Sequence, residues 1–250
     1  LGRVYQADLL INSAMPEFAA AARALSPVQA RWVESTQAAR AEYDAWQKPV
    51  KVPGMLNMSE VILYLKKRLP PDSILTNGAG NFTLWPHRFY QYTGFRTQLG
   101  PTSGAMGYGV PAGVAAKLVH PDRTVIAFAG DGDFLMNGQE LATAAQYGAK
   151  VIFIVINNGM FGTIRMHQEK HYPGRVSGTS LSNPDFAALA RAYGLHGEIV
   201  EKTADFEAAF ERALHAKTAA LLELRIDPDA VSPRTTLSAI RAEALKNQKR

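Results

Sequence analysis

Residues 151–156, VIFIVI, are apolar at every position, and this run constrains the fold more than any other feature of the sequence. A strand that is covered on both faces has this pattern, and such strands belong almost only to parallel sheets with helices on both sides. Further strand-like runs alternate with helix-like segments from about residue 58 to residue 225. The alternation predicts an α/β fold, a three-layer sandwich with a mainly parallel central sheet.

The same pattern divides the chain into three parts. Residues 49–230 carry the alternation of strands and helices, and residues 231–250 are predicted to form a C-terminal helical tail. Residues 1–48 are expected to be the end of a preceding domain and a helical linker, with a strand within residues 1–12. Since the sequence starts at Leu1 and not at methionine, we expect the chain to be a fragment of a longer polypeptide.

Composition argues against several classes of protein. The chain has 47% hydrophobic and 20% charged residues, which predicts a filled core. No apolar run reaches the roughly 18 to 20 residues that span a bilayer, so we expect no membrane insertion. The net charge of +5 comes from scattered Lys and Arg, which argues against nucleic-acid binding. The absence of cysteine excludes disulfides and thiolate chemistry and fits a cytoplasmic location.

Two apolar runs each end in a short polar turn, GDG at residues 130–132 and NNG at residues 157–159. Open parallel sheets bind ligands beyond the carboxyl ends of their strands, where both turns are expected to lie. The carboxylate of Asp131 and the amide oxygen of Asn158 form a hard-oxygen ligand set that suits Mg²⁺ or Ca²⁺ and not zinc. Because Mg²⁺ usually completes its shell with phosphate oxygens and water, the pattern predicts a magnesium diphosphate or triphosphate.

A helix is expected to follow the first turn and to begin after Asn137. Asn137 is a favourable N-cap residue, and Glu140, three positions later, completes the pattern of a capping box. A helix N-terminus near the turn would add N–H donors to an anion site.

The two turns resemble the motif of thiamine-diphosphate-dependent enzymes, in which GDG is followed by NN one helix and one strand later. Here Asp131 and Asn158 are 27 positions apart. The stretches LGPTSGAMGYGVPAGVAAK and QELATAAQYGAKVIFIVINNGMFG resemble the C-terminal, cofactor-binding domain of acetolactate synthase-like enzymes. The resemblance covers about residues 50–225. It implies thiamine diphosphate and Mg²⁺ as cofactors and a 2-oxo-acid substrate, which undergoes carboligation or decarboxylation.

The resemblance implies five residues at the metal and diphosphate end of the site. Asp131, the side-chain oxygen of Asn158 and the backbone carbonyl of Met160 would hold Mg²⁺. The N–H groups of Gly132 and Asp133 would bind the diphosphate. Since the Asp133 carboxylate would repel a diphosphate, we expect it to point away from the phosphates or to meet a cation.

Five more cofactor residues are implied in the rest of the site. Asn81 would reach the diphosphate from the opposite side. Met106 would wedge beneath the cofactor, and the carbonyl of Gly104 would accept a hydrogen bond from its aminopyrimidine ring. Phe161 and Gly162, next to the metal-binding turn, complete the set.

No catalytic acid–base residue is assigned to this chain. In the family, a glutamate from a separate N-terminal domain, usually of a neighbouring subunit, activates the cofactor. The resemblance therefore implies a homodimer or homotetramer in which that domain completes the site. FAD, which some relatives bind elsewhere, would lie outside this chain. His167, on the helix that lines the substrate pocket in relatives, either donates a hydrogen bond to that pocket or faces solvent.

The sequence leaves one alternative function open and argues against two others. The alternative is a non-catalytic thiamine-diphosphate-binding module for assembly or regulation, which works without the glutamate-bearing domain. A Mg²⁺-nucleotide domain is disfavoured because the chain lacks a Walker lysine motif. A dinucleotide site after residue 77 is disfavoured because Thr83 replaces the third glycine of the fingerprint.

Overall fold

The computed structural model describes residues 1–248, and it divides the chain into two units, residues 1–45 and the part that begins at Trp46. The first unit contains α1 (Met15–Arg23) and most of α2 (Val33–Trp46). Neither helix has a buried residue. The expected strand within residues 1–12 is wrong, since all twelve residues are irregular. An isolated strand has no neighbour with which to pair its backbone N–H and C=O groups.

The second unit is built on a six-stranded sheet in which every pairing is parallel, and this confirms the predicted fold class. The strand order is β2-β1-β3-β4-β6-β5. The strands are β1 (Ile74–Asn77), β2 (Gln98–Leu99), β3 (Val125–Gly130), β4 (Ile152–Asn157), β5 (His196–Val200) and β6 (Ala220–Arg225).

Helices cover both faces of the sheet. The helices of this unit are α3 (Met58–Arg68), α4 (Leu84–Phe89), α5 (Gly109–Val119), α6 (Asp131–Asn137), α7 (Leu141–Gln146), α8 (Gly162–His171), α9 (Phe186–Ala192), α10 (Thr203–Leu214) and α11 (Leu237–Gln248). Within residues 1–248, no helix is long and apolar enough to cross a membrane.

Side chains alternate between two core layers along the central strands. On β3, Ile126 and Phe128 join the layer under α3, α4 and α10, whereas Ala127 and Ala129 join the layer under α5, α7 and α9. Burial of each large apolar side chain contributes about 1.5–3 kcal/mol to folding. The two layers and the sheet between them form the predicted three-layer sandwich.

The register of β3 and β4 places the two polar turns side by side. Gly130 pairs with Ile156, so the chain leaves both strands at the same edge of the sheet. The first turn itself begins a helix, α6, at Asp131, which the sequence pattern did not predict. The helix expected after Asn137 is present, as a 3₁₀ turn (Gly138–Glu140) that leads into α7. The Asn137 side chain makes no capping hydrogen bond, since its Nδ2 donates to the carbonyl of Gly107 (2.9 Å) and its Oδ1 accepts from Gln139 Nε2 (3.4 Å).

Candidate functional site

One cleft opens beside the carboxyl ends of β1, β3, β4 and β6, and it is lined mainly by the segments that follow these strands. All ten residues that the resemblance implies for the cofactor lie in its wall. They are Asn81, Gly104, Met106, Asp131, Gly132, Asp133, Asn158, Met160, Phe161 and Gly162. The fold therefore brings together residues that are up to 81 positions apart in the sequence.

Asp131 begins α6 directly after β3 and is only 3% exposed. Its Oδ1 accepts a hydrogen bond from the N–H of Gly132 (2.9 Å), and its Oδ2 accepts from the N–H of Gly159 (2.8 Å) and from Asn183 Nδ2 (2.8 Å). Burial raises the pKa of the Asp131 carboxyl, and these hydrogen bonds oppose the rise. No ion pair among residues 1–248 involves Asp131. A buried carboxylate of this kind favours a bound cation.

The turn after β4 faces this carboxylate. Asn158 Oδ1 accepts a hydrogen bond from the N–H of Met160 (3.2 Å). Met160 lies opposite Ser180 in an isolated antiparallel bridge, and the N–H of Phe161 donates to the carbonyl of Thr179 (2.9 Å). The loop at residues 179–180, which no sequence motif marks, thus holds the backbone of the predicted metal-binding turn.

Asp133, in the first turn of α6, connects two loops of the cleft. Its Oδ1 accepts hydrogen bonds from the N–H groups of Ala79 (3.1 Å) and Gly107 (2.8 Å), and it is 2% exposed. Its Oδ2 has no hydrogen-bond partner in the described part of the chain. Burial raises the pKa of Asp133 to about 6, against the lowering effect of the two amides. Within residues 1–248, the Asp133 carboxylate binds backbone amides and forms no ion pair with a Lys or Arg side chain.

Asn81 connects the loop after β1 to the first turn of α8. Its N–H donates to Thr163 Oγ1 (2.9 Å), and that hydroxyl donates to Asn81 Oδ1 (3.0 Å). Asn81 Nδ2 also contacts the sulfur of Met166 (3.5 Å). Thr163, which was not among the predicted residues, lines the cleft directly after residues 160–162. Its hydroxyl next to that motif is the signal that could have revealed it.

The loop before α5 carries Gly104 and Met106, and it fits closely against α6. Gly107 has φ +83°, and a Cβ on it would lie 2.7 Å from both Met136 Cβ and Asn137 Nδ2. Glycine is therefore required at this position. The half-buried Met106 side chain contributes to the cleft wall, where the resemblance implies the wedge.

Apolar side chains that no sequence motif marks complete the wall. Three of them come from the segment after β6, and the others follow β1 or lie near the ends of β4 and α8. They are Phe82, Trp85, Ile156, Ile164, Ile226, Ala230 and Val231. The position of β6 beside β4 could not be read from local pattern, so the contribution of residues 226–231 was missed.

His167 lies outside the cleft lining. Its side chain is exposed, and its ring stacks on that of His171 at 6.4 Å between centroids and 9° between planes. Of the two alternatives for His167, the structure supports the solvent-facing one.

Glu169, near the end of α8, joins this helix to α11. The carboxylate is 1% exposed and accepts hydrogen bonds from Arg165 Nε (2.9 Å), from the N–H of Gly174 (2.9 Å) and from Arg241 Nε (2.7 Å) and Nη2 (2.6 Å). These donors, with Arg241 first, lower the pKa of Glu169 to about 2. The ion pair anchors the helix whose first turn borders the cleft.

The donor groups of the cleft fit a magnesium diphosphate. Residues 1–248 contain no cluster of three or more His, Cys, Asp or Glu side chains that could hold a metal ion. One carboxylate, one amide oxygen and one backbone carbonyl suffice for Mg²⁺ when phosphate oxygens and water complete its shell. Asp131, Asn158 and Met160 can supply this set from one wall of the cleft.

Comparisons with known proteins agree with this geometry. Residues 78–224 match the family model described as thiamine pyrophosphate enzyme, C-terminal TPP binding domain. The chain is 32% identical to the acetolactate synthase large subunit of Parasynechococcus marenigrum, over 82% of this chain and 33% of that protein. It is 36% identical to the acetolactate synthase large subunit of Corynebacterium glutamicum, over 74% of this chain and 33% of that protein.

A solved structure is similar as well. The thiamine diphosphate-dependent 4-hydroxybenzoylformate decarboxylase of Rhodococcus jostii RHA1 superposes with a TM-score of 0.67 at 32% identity, covering 72% of this chain and 34% of that one. The chain thus spans about a third of the length of these relatives. The matched residues include both polar turns and nearly all of β3, β4 and β6. The chain belongs to the thiamine pyrophosphate enzymes and carries their C-terminal, cofactor-binding domain.

Proposed function

We propose that this chain supplies the metal- and diphosphate-binding half of the active site of a Mg²⁺- and thiamine-diphosphate-dependent enzyme. The substrate is a 2-oxo acid, and the reaction is acetolactate synthase-like carboligation or decarboxylation. The buried Asp131 carboxylate, in one cleft with Asn158 and Met160, is the observation that carries the proposal. The similarity to acetolactate synthases and to a decarboxylase supports the reaction class.

Each part of the cleft has a task in this proposal. Asp131, Asn158 and the Met160 carbonyl hold Mg²⁺, while the N–H groups of Gly132 and Asp133 bind the diphosphate. Bound thiamine diphosphate supplies the electron sink for loss of CO₂ from a 2-oxo acid. The apolar wall excludes water and thereby strengthens the electrostatic interactions within the cleft. The protein contributes binding and orientation, and the cofactor contributes the chemistry.

We further propose that the site is completed by the N-terminal domain of a neighbouring subunit in a homodimer or homotetramer. The catalytic acid–base residue belongs to that domain in this proposal. The greater length of the relatives supports a contribution from domains outside the matched region. The absence of cysteine supports a cytoplasmic location.

Thermal denaturation with thiamine diphosphate, in Mg²⁺ or in EDTA, tests the cofactor site. Ligand at about 100 times its Kd stabilises the folded state by about 2.7 kcal/mol. This free energy raises the Tm by roughly 5–11 °C, at about 2–4 °C per kcal/mol. We expect the rise in Mg²⁺ and not in EDTA, and we expect Asp131→Ala to abolish it. Asp122→Ala is the matched control, because it removes an exposed carboxylate that lies just before β3 begins, at the end of the strand opposite to Asp131.

The outcomes separate the metal site from the reaction. A rise that is independent of Mg²⁺ and persists in Asp131→Ala contradicts the metal assignment. No rise, in this chain or in the complete protein, contradicts the cofactor site. CO₂ release from pyruvate by the complete protein tests the reaction class, and cofactor binding without turnover of any 2-oxo acid supports the non-catalytic module.

A further inference from the structure

A chain of hydrogen-bonded polar side chains runs from Asp131 across the ends of β4 and β6. Asn183 Nδ2 donates to Asp131 Oδ2 (2.8 Å) and to Asn157 Oδ1 (2.9 Å). Asn157 Nδ2 in turn donates to Glu223 Oε1 (2.9 Å). Glu223 is 0% exposed and is not among the residues that line the cleft. The network therefore joins the proposed metal ligand to a buried carboxylate that does not line the cleft.

Glu223 has partners on two further elements. Its Oε2 accepts a hydrogen bond from the N–H of Phe186, at the start of α9 (3.0 Å), and its Oε1 accepts from Arg225 Nε (2.8 Å). Arg225 also pairs with Glu201 (3.2 Å). The carboxylate of Glu223 is thus held on both oxygens, and its position is fixed independently of the cleft.

The carboxylate at position 223 sets the orientation of the Asn157 amide. A carboxylate only accepts hydrogen bonds, so Asn157 must present its NH₂ group to Glu223 and its oxygen to the opposite side. That oxygen accepts from the N–H of Gly159 (3.1 Å) as well as from Asn183. Gly159 and Asn183 are also the two groups that donate to Asp131 Oδ2.

The orientation of the Asn183 amide is imposed by its neighbours. Its NH₂ group makes both hydrogen bonds, while its buried Oδ1 has no partner within residues 1–248. A buried acceptor without a partner destabilises the folded protein. The Asn183 NH₂ group is nevertheless the one that faces the network, because both Asp131 and Asn157 present acceptor oxygens to it.

We propose that Glu223 is a positioning residue for the metal site. It orients the amide of Asn157 and, through Gly159 and Asn183, aims the carboxylate of Asp131 at the cation. The proposal rests on the proposed role of Asp131 as a Mg²⁺ ligand. Outer-shell partners of this kind commonly change metal affinity by about 10–100-fold when they are replaced.

The test is the Kd of Mg²⁺, measured by isothermal titration calorimetry in saturating thiamine diphosphate. Glu223→Gln keeps the shape of the side chain but offers one acceptor oxygen where the Phe186 N–H and Asn157 Nδ2 need two. We expect the Kd of Mg²⁺ to rise about tenfold or more in this variant. The double variant Glu223→Gln, Asn157→Asp exchanges the amide and the carboxylate. The new amide at position 223 then donates to the new carboxylate at position 157, whose other oxygen still accepts from the Gly159 N–H and from Asn183 Nδ2. We expect its Kd to return to within about threefold of the wild-type value.

Two results would overturn the proposal. One is a folded Glu223→Gln variant with a Kd for Mg²⁺ within about twofold of wild type, because a purely structural role moves the Tm and not the metal affinity. The other is a folded double variant that binds Mg²⁺ at least tenfold more weakly than wild type. If Glu223→Gln alone does not fold, the Kd of the double variant is the test of the proposal. Wild-type protein that binds thiamine diphosphate without Mg²⁺ would instead refute the proposed function of Asp131.

Discussion

Replacing Glu169 with glutamine should lower the free energy of unfolding by about 3 kcal/mol at neutral pH. The buried carboxylate accepts hydrogen bonds from two guanidinium groups, those of Arg165 and Arg241, and from the N–H of Gly174. Glutamine keeps the shape of the side chain but carries no charge to pair with the two cations. Loss of one partner from a buried ion pair typically costs about 3–5 kcal/mol, and the partial exposure of Arg241 (40%) places this case at the lower end.

The pKa of Glu169 gives a second estimate of the same free energy. It lies at about 2 in the folded protein, against an ordinary value of 4.5. A lowered pKa stabilises the folded state above the unfolded value, and this stability is lost as the pH falls through the folded value. A pKa difference of about 2.5, at about 1.36 kcal/mol per pKa unit, gives roughly 3 kcal/mol at pH 7 and about 2 kcal/mol at pH 3.5.

Urea denaturation of wild type and Glu169→Gln at pH 7 and pH 3.5 measures both quantities. Because glutamine does not titrate, the difference in unfolding free energy between the two proteins should narrow as the pH falls. Glu243→Gln, at an exposed position of α11, removes the same charge and should change stability by less than about 0.5 kcal/mol. A difference below about 1 kcal/mol at pH 7, or one that stays constant with pH, would refute the reasoning.

Three further predictions concern the loop before α5, the core and the surface of α8. Gly107→Ala should destabilise the protein by roughly 1–3 kcal/mol, since its φ is +83° and the new Cβ would meet Met136 and Asn137. Gly148→Ala, at φ +62° with nothing within 4 Å, measures the backbone strain alone, and equal losses in the two variants would contradict the steric argument. Phe128→Ala should cost about 3–5 kcal/mol in urea denaturation, because the ring is 1% exposed on the central strand β3. His167→Ala should leave the Kd of thiamine diphosphate unchanged in calorimetry, because the ring is exposed outside the cleft lining, and a loss above about threefold would place His167 in the site.

The parts of the fold that sequence predicts are those with a strong local pattern. The run at residues 151–156 indicates a strand with both faces covered, and the turns at residues 130–132 and 157–159 indicate a ligand-binding edge. Both features follow from residue type and spacing alone. The ten predicted cofactor residues lie around one cleft, and their roles toward the cofactor stay predictions.

The parts that sequence missed depend on contacts between distant residues. Asn183 and Thr179 lie in an irregular segment, so no periodicity connects them with Asp131 or Phe161. The capping box at Asn137 fits the local pattern, and a helix does follow it, but the two side chains of the box have other partners: Asn137 Nδ2 donates to the carbonyl of Gly107, and Glu140 Oε2 accepts from Thr143 Oγ1. Local propensity cannot anticipate a partner such as Gly107, because the fold supplies it from another part of the chain.

The strand order has a consequence for synthesis of the protein. Strand β6 lies between β4 and β5 in the sheet, although β5 precedes it in the chain. The end of β6 follows the end of β4 by 68 residues, which a ribosome adds in roughly 3–14 s at about 5–20 residues per second. During that interval one edge of β4, whose residues 152–156 are all apolar, has no neighbour, and β5 has no strand to join. Nascent chains that stall before residue 220 therefore expose an unpaired apolar edge to other chains, and completion of β6 ends this risk of aggregation.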